Sequence, residues 1–418
     1  MQTNETTLFY ELSCRAQLPP DFSGLKLVLA ALGLPETKTP AVHIAGTNGK
    51  GSIAHMVAAA LISAGYKTGL FISPHIIRFE ERVQVNGTYI DTAALRTYFL
   101  RLCAAERRAN VRLNYFSAIT CMAFLHFQHT GCDIMVLETG LGGRLDPTNS
   151  IPVPQAAVLA QIGVDHAAIL GDTVEKITFE KAGIIKPGGD VVLQAQDAAV
   201  EHTLSQICKN RGARLHIARA APPVGMAPGL KGAYQLKNAA TAYKTLAVLN
   251  TKGFVVPHEA VRLGLADANW PARFELLHEN PPILLDGAHN PAAALALGES
   301  IQLAYPDTRC VFIAAFMRDK EYMGCLRALS PLADIWIASA LQDARALPAE
   351  KLKACCGKIC KRVYAEDTLT DAMKLALRLH EGRRLICVFG SLYMAKEVKD
   401  FVTQRLKRIR THNKIYVL

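Results

Sequence analysis

The stretch Gly46–Ser52, which reads GTNGKGS, decides the fold class of this 418-residue chain. A short apolar run, Ala41–Ala45, precedes it, and an Ala-rich helical pattern, Ser52–Ala64, follows it. A glycine-rich turn that opens a helix directs backbone N–H groups and the positive end of the helix dipole towards an anion. Lys50 adds a charge for phosphate and Ser52 a hydroxyl. We therefore predict a phosphate-binding loop, although Gly51 intervenes where the general pattern G-x4-G-K-[ST] has none.

The alternation of strands, turns and helices continues along the chain. A segment rich in Pro and Gly, residues 222–232, interrupts it, and a helix is expected from Asn238 to Leu249. We predict two α/β domains, 1–275 and 276–418, each with a mostly parallel sheet. The other predicted strands are Lys67–Ile72, Asp133–Leu137, Ala156–Ile162, Ile283–Asp286, Cys310–Phe316, Ile335–Ser339 and Leu385–Phe389.

Composition excludes several classes of protein. Half of the residues are hydrophobic and 20% are charged, which is typical of a folded globular chain. The apolar runs are too short to cross a bilayer, and the first residues lack the pattern of a secretory signal. The eleven cysteines have no framework spacing, which favours reduced thiols and a cytoplasmic location. The net charge of +11 suits a polyanionic small substrate, and no motif for nucleic acid accompanies it.

Polar residues follow three of the predicted strands. Ser73, Glu138 and the pair Asp165-His166 stand at these strand ends. In a parallel sheet the carboxyl ends of the strands meet at the edge that carries the phosphate loop. Each residue alone has a structural explanation, as a cap, a surface acid or a core histidine. Together they predict a Mg²⁺ site beside a nucleotide.

Further motifs identify a family. They are SPH at 73–75, RFEERVQV at 78–85, ETGLGGRLDPTN at 138–149, DH at 165–166, LGDT at 170–173, EKAGI at 180–184, WPARF at 270–274, DGAHNP at 286–291, RDK at 318–320 and GSLY at 390–393. In order and spacing they resemble the bacterial dihydrofolate synthase/folylpolyglutamate synthases of the Mur ligase superfamily. The resemblance implies a P-loop ATPase domain, then a smaller Rossmann-like domain, with the active site between them.

The resemblance also implies an activity and its residues. ATP would phosphorylate a carboxylate, and the amine of glutamate would attack the acyl phosphate. The implied ATP contacts are Thr47, Asn48, Gly49, Lys50, Gly51, Ser52, Asn238, Arg273 and Asp286. His289 and Ser391 would face the acyl phosphate and glutamate, and two Mg²⁺ ions are expected. Their implied ligands are Ser73, Glu138, His166 and Lys181, the lysine being carbamylated by CO₂; an unmodified lysine paired with Glu180 or Glu175 is the alternative.

The form Arg144-Leu145-Asp146 resembles relatives that also act on dihydropteroate. Asp146 could accept hydrogen bonds from a pterin, or it could cap the turn before Pro147. The predicted dihydropteroate-binding residues are Asn114, Tyr115, Phe116, Ser117, Leu145, Asp146 and Pro147, with Ser117 standing where the family often has an acid. We expect a bifunctional, monomeric enzyme acting on ATP, glutamate, dihydropteroate and folates.

Three alternatives remain. A folylpolyglutamate synthase without dihydrofolate synthase activity and another Mur-type amino-acid ligase belong to the same superfamily. The short segment before Gly46 argues against the cell-wall ligases, which carry an additional N-terminal domain. The third, a nucleotide-binding module without ligase activity, leaves the motifs 286–291 and 318–320 without a purpose.

Overall fold

A computed structural model describes residues 11–12, 14–15, 22–34, 38–219, 221–382 and 384–413, with side chains described as far as residue 404 of the last helix. The strands are β1 Ala41–Ala45, β2 Thr68–Phe71, β3 Val83–Val85, β4 Thr88–Tyr89, β5 Ile134–Glu138, β6 Ala156–Leu159, β7 Asp190–Gln194, β8 Arg214–Ala218, β9 Glu275–Glu279, β10 Pro282–Leu285, β11 Cys310–Ala314, β12 Ala333–Ser339, β13 Val363–Glu366 and β14 Leu385–Phe389.

The helices alternate with these strands. They are α1 Phe22–Ala31, α2 Lys50–Ser63, α3 Thr92–Ala109, α4 Tyr115–Thr130, α5 Ala167–Leu170, α6 Val174–Lys181, α7 Ala198–Asn210, α8 Tyr234–Asn250, α9 His258–Asp267, α10 Pro291–Ala304, α11 Tyr322–Leu329, α12 Ala349–Cys356, α13 Leu369–Leu379 and α14 Ala395–Asn413. None of the helices in the described part of the chain is long and apolar enough to cross a membrane.

The chain divides into two compact units. The first comprises Met1–Gly229 and Gln235–Asn269, and the second comprises Leu230–Tyr234 and Trp270–Leu418. The sequence-based division after residue 275 lies a few residues further along the chain.

The first unit is built on an eight-stranded sheet in the order β4-β3-β2-β5-β1-β6-β7-β8. In this order, β2, β5, β1, β6, β7 and β8 pair in parallel with their neighbours. The pairs β2–β3 and β3–β4 are antiparallel. Strands β1, β5 and β6 are buried along their whole length, as expected of a parallel sheet covered on both faces. This sheet brings the ends of β2, β5, β1 and β6 side by side.

Helix α2 is buried on nearly all sides. It packs on the sheet and also on α9, where a Cβ atom on Gly264 would lie 2.2 Å from the backbone nitrogen of Ala60. Only glycine permits that approach. The helix also begins earlier than the sequence predicted, at Lys50 and not at Ser52. Gly49 takes the left-handed conformation (φ 86°) at its N-cap, so that Lys50 and Gly51 already lie in its first turn.

The second unit contains a six-stranded sheet in the order β13-β12-β11-β14-β10-β9. All neighbours pair in parallel except β9 and β10. Its core includes stacked Phe312 and Trp336, whose ring centroids are 4.9 Å apart. The α/β fold class with mostly parallel sheets is confirmed.

Candidate active site

The phosphate loop is held by the chain that follows β6. The backbone nitrogen of Thr47 donates to the carbonyl oxygen of Gln161 at 2.7 Å, and the Thr47 hydroxyl lies 2.9 Å from the carbonyl oxygen of Gly163. Gly46 approaches so closely that a Cβ atom would lie 2.7 Å from that of Ala160. The strand predicted to reach Ile162 therefore ends at Leu159, because the following residues bond to the loop.

Charged and polar groups converge beside this loop. Glu138 is the buried last residue of β5, and it accepts a hydrogen bond from the backbone nitrogen of Ser73 at 3.2 Å. Its other carboxylate oxygen lies 3.9 Å from the ammonium of Lys50. His166, at the start of α5, lies beside Asp165, with Nε2 3.9 Å from Oδ1. The structure thus brings Ser73 and Glu138 together with Lys50, and it places His166 next to Asp165.

A chain of buried amides supports the loop from the other side. Gln194 donates to the side-chain oxygen of Asn238 at 3.0 Å, and Asn238 donates to Gln235 at 2.8 Å. Gln235 in turn donates to the hydroxyl of Ser52 at 3.3 Å. A Cβ atom on Gly49 would lie 2.5 Å from the Asn238 oxygen, so the amide borders the loop. Gln161, Gln194 and Gln235 were not identified from the sequence. Gln194 could have been noticed as a polar residue at the end of an apolar strand.

Lys181 is the buried last residue of α6. Its ammonium nitrogen donates to the carbonyl oxygen of Gly46 at 2.8 Å. Burial, with a smaller contribution from the charge of Lys50, lowers the pKa of Lys181 to about 7. Near neutral pH a large fraction of this amine is therefore unprotonated. Glu180, one of the two partners predicted for an unmodified lysine, is instead paired with Arg144 at 2.9 Å.

The loop from Gly140 to Pro147 is closed by Asp146. One carboxylate oxygen accepts from the backbone nitrogens of Gly140 and Leu141 at 2.8 and 2.9 Å. The other accepts from the nitrogen and the hydroxyl of Thr148 at 3.0 and 2.5 Å. Asp146 is only 2% exposed. The geometry therefore supports the turn-capping alternative for Asp146 and not a direct hydrogen bond to a pterin.

The two predicted dihydropteroate-binding segments are neighbours. Asn114 caps α4 by accepting from the nitrogen of Ser117, and the next residues, Tyr115 and Phe116, are partly buried. A Cβ atom on Gly140 would lie 2.6 Å from the ring of Phe116, so this helix start touches the loop that Asp146 closes. Leu145 is the exposed side chain of that loop, whereas Pro147 is buried.

In the second unit, Asp286 follows β10 and is buried. Its carboxylate accepts from the Tyr234 hydroxyl at 2.7 Å and from the backbone nitrogens of Phe274 and Ala288, each at 2.8 Å. Burial raises the pKa of Asp286, and the positive charge of Arg273 acts in the opposite direction.

Other predicted residues of the second unit lie at the same sheet edge. His289, three residues after Asp286, has Nδ1 2.8 Å from the carbonyl oxygen of Gly287. Ser391 follows the neighbouring strand β14 and accepts from the nitrogen of Tyr393 at 3.2 Å. A Cβ atom on Gly287 would lie 2.4 Å from Nη1 of Arg273, so this guanidinium lies directly against Gly287. Arg273, Asp286, His289 and Ser391 thus belong to one unit.

The donor chemistry of the first unit fits Mg²⁺. Within the described residues, no group of three or more His, Cys, Asp or Glu side chains is arranged to hold a metal ion. The predicted ligand set contains two residues of these types, a hydroxyl and a lysine. Mg²⁺ takes few protein ligands and keeps water or phosphate oxygens in the rest of its shell. The carboxylate of Glu138, beside Ser73, is a suitable oxygen donor.

Comparison with known proteins identifies the family of the chain. Residues 44–220 match the Mur ligase middle domain, and residues 272–392 match the Mur ligase glutamate ligase domain. A dihydrofolate synthase/folylpolyglutamate synthase of Bacillus subtilis is 32% identical over 412 residues, covering 91% of this chain and 94% of the relative. The chain belongs to this family. Its membership confirms the predicted ligase class and the predicted superfamily.

Solved structures of the family share the fold. A structure of Escherichia coli FolC in complex with DHPP and ADP has a TM-score of 0.87 and 28% identity, covering 97% of this chain and 99% of that one. A bifunctional folylpolyglutamate synthase/dihydrofolate synthase with Mn, AMPPNP and L-glutamate bound has a TM-score of 0.85 and 27% identity, covering 96% and 98%. Along this chain the match to the Mur ligase middle domain precedes the match to the glutamate ligase domain.

Proposed function

We propose that this ligase joins L-glutamate to dihydropteroate and to the γ-carboxylate of folates at the expense of ATP. The observation that carries the proposal is the alignment of the ends of β2, β5, β1 and β6 around the phosphate loop. The structural neighbours that bind ADP with DHPP, or AMPPNP with L-glutamate, support the same substrate classes.

In this proposal the phosphate loop binds the triphosphate. The N–H groups at the start of α2 and the ammonium of Lys50 face the phosphates, because helix N-termini and lysine charges both favour anions. Asn238 borders the loop and contacts the nucleotide, and Arg273 and Asp286 of the second unit contribute further contacts. Ser73, Glu138 and His166, with carbamylated Lys181, would hold Mg²⁺, which would neutralise part of the phosphate charge.

The reaction has two bond-making steps. A substrate carboxylate oxygen attacks the γ-phosphorus of ATP, the bond from that phosphorus to the bridging oxygen breaks, and ADP leaves. The amine of glutamate then attacks the carbonyl carbon, and phosphate departs with its electron pair while the nitrogen loses a proton. Phosphoryl transfer depends mainly on positioning and charge stabilisation, which are the roles of Lys50 and Arg273. We assign His289 and Ser391 to the acyl phosphate and the incoming glutamate.

The loop 140–147 and the start of α4 form the proposed pterin site. The aromatic rings of Tyr115 and Phe116 offer stacking surface, and Leu145 offers an exposed apolar contact. Asp146 has the role of holding this loop closed. The remaining predicted members, Asn114, Ser117 and Pro147, shape the site through the helix cap and the turn.

Carbamylation of Lys181 is part of the proposal. The unprotonated amine attacks CO₂, a nitrogen–carbon bond forms, one proton is released, and a carboxylate replaces the cation. The lowered pKa of Lys181 supports this reaction, because only the neutral amine is a nucleophile. The new negative charge suits a second Mg²⁺ ion.

The test measures ADP release by the purified chain with glutamate and each acceptor in turn. Release with dihydropteroate and with tetrahydrofolate supports the bifunctional proposal. ADP release with folates alone would limit the function to folylpolyglutamate synthesis, and dependence on a UDP-muramyl acceptor would indicate cell-wall ligation instead.

We further propose that the protein is a monomer, which light scattering can test, and that it is cytoplasmic. The eleven cysteines, all within the described residues, are free thiols, as is usual in a reducing compartment.

A further inference from the structure

A histidine lies in the middle of the central strand of the first sheet. His43 belongs to β1, three residues before the phosphate loop, and it is fully buried. Its Nε2 atom lies 2.8 Å from the hydroxyl oxygen of Thr148. Neighbouring positions of this strand are apolar, so an imidazole here is an exception to the pattern of a buried parallel strand.

The hydrogen bonds around Thr148 have a defined direction. The carboxylate of Asp146 only accepts, so the Thr148 hydroxyl donates its proton to Asp146 at 2.5 Å. The Thr148 oxygen is then left to accept, and its partner is the N–H of His43 at Nε2. A proton on Nε2 leaves Nδ1 of the neutral ring without one. This Nδ1 atom is buried and has no hydrogen-bond partner among the described residues.

An unsatisfied buried nitrogen costs stability, which an aliphatic residue at position 43 would avoid. The role of His43 is therefore to be sought in the hydrogen bond between its Nε2 atom and the Thr148 hydroxyl. Through Thr148 it reaches Asp146, whose other oxygen holds the nitrogens of Gly140 and Leu141. The relay His43–Thr148–Asp146 thus connects the central strand with both ends of the loop 140–147.

We infer that His43 is a positioning residue for the acceptor substrate: it orients the Thr148 hydroxyl towards Asp146 and so holds the loop 140–147 in the form that receives the pterin. This inference rests on the proposed function, because that function assigns the loop to the pterin. In this arrangement His43 acts on the loop through Thr148.

The test compares His43→Leu, His43→Gln and Thr148→Val. Leucine removes the donor, valine removes the hydroxyl, and the glutamine amide retains an N–H donor at a similar reach. We expect His43→Leu and Thr148→Val each to raise KM for dihydropteroate about five- to tenfold, as loss of one buried hydrogen bond would. KM for ATP should change less than twofold, and His43→Gln should restore most of the affinity.

The double variant and a core control complete the design. Since both single changes break the same relay, the double variant His43→Leu/Thr148→Val should raise KM no further than either single change. Val192→Ala in β7 is a matched control, because it removes buried volume from the same sheet, two strands away from β1. It should lower the melting temperature without raising KM for dihydropteroate.

The outcomes separate the two proposals. An active wild-type enzyme whose KM for dihydropteroate is unaltered in His43→Leu overturns the inference and leaves the function intact. A parallel rise of the ATP and dihydropteroate KM values also overturns it, because that result indicates a general structural role. A wild-type enzyme inert towards both pterin acceptors overturns the proposed function itself.

Discussion

The ammonium nitrogen of Lys181 lies 2.8 Å from the carbonyl oxygen of Gly46, the first residue of the phosphate loop. The last residue of α6 is thereby hydrogen-bonded directly to the loop that is proposed to bind the nucleotide. The same helix is fixed to the loop 140–147, because the backbone nitrogen of Arg144 donates to the carbonyl oxygen of Glu180 at 2.7 Å. A change at Lys181 is therefore expected to affect both the phosphate loop and the loop 140–147.

Lys50→Ala should reduce turnover at least a hundredfold while the protein stays folded. The partly exposed ammonium of Lys50 approaches only the carbonyl oxygen of Thr47 and the carboxylate of Glu138 among the contacts found, at 3.4 and 3.9 Å. Its removal thus costs phosphate charge stabilisation more than core packing. Steady-state kinetics and circular dichroism measure the two effects. The exposed Lys67 offers the control Lys67→Ala, which should keep full activity; a folded and active Lys50→Ala protein would exclude the assigned phosphate loop.

Lys181 should gain the mass of CO₂ when the protein is held with bicarbonate above neutral pH. The folded-state pKa of about 7 makes the neutral amine the major form as the pH rises past that value. Carbamylation and activity should therefore rise together with pH and fall on acidification. Isotopically labelled bicarbonate followed by NMR detects the carbamate carbon. Lys181→Arg, which keeps a cation and cannot form this carbamate, is the matched variant; an unlabelled yet fully active wild-type protein would contradict the modification.

Asp146→Ala should lower activity with dihydropteroate and with tetrahydrofolate to a similar degree, by about tenfold or more. The carboxylate holds three backbone nitrogens and one hydroxyl of its own loop, so its loss opens the loop for every pterin acceptor. This expectation replaces the selective loss that the sequence alone suggested. Asp91→Ala removes another helix-capping aspartate, at the start of α3, and should leave both activities unchanged. A loss of activity confined to dihydropteroate would instead support a direct hydrogen bond between the pterin and Asp146.

The first unit illustrates how far the sequence predicts a site. The motif Gly46–Ser52 and the residues Ser73 and Glu138 could be placed correctly, because strand ends in a parallel sheet share one edge. The role of Asp146 could not be separated from a turn cap, since an Asp-Pro pair is compatible with both. Strands β7 and β8 were not predicted, and the buried amides Gln194 and Gln235 carry no motif. Their importance arises from long-range contacts that no local pattern encodes.

Tyr234→Phe should weaken ATP binding by about three- to tenfold with little change in kcat. The Tyr234 hydroxyl donates to Asp286 at 2.7 Å, and its removal leaves the buried carboxylate with two backbone donors. A shift in Asp286 alters the proposed nucleotide contact within the second unit. Tyr364→Phe, at an exposed position of β13, is the control and should be silent. Equal affinity for ATP in wild-type and Tyr234→Phe proteins would show that Tyr234 does not position Asp286 for the nucleotide.

The last prediction concerns pH and stability at His43. Burial, with a smaller contribution from Lys186, lowers the pKa of His43 from 6.5 to about 3, while Asp146 faces it through Thr148. Between these two pH values the unfolded chain binds a proton that the folded chain does not, so acidification from neutral pH favours unfolding. At about pH 5 the expected cost is about 2 kcal/mol.

His43→Gln removes this titration and should therefore lose less stability than the wild-type protein between about pH 7 and pH 5. Urea unfolding of both proteins at each pH measures the difference, and Val192→Ala should follow the wild-type pH dependence from a lower starting stability. Parallel curves for wild-type and His43→Gln would mean that folding does not lower the pKa of His43, so that the folded protein also takes up this proton on acidification. A charged imidazole cannot have the neutral Nδ1 that the relay requires, so the same measurement bears on how His43, Thr148 and Asp146 share their protons.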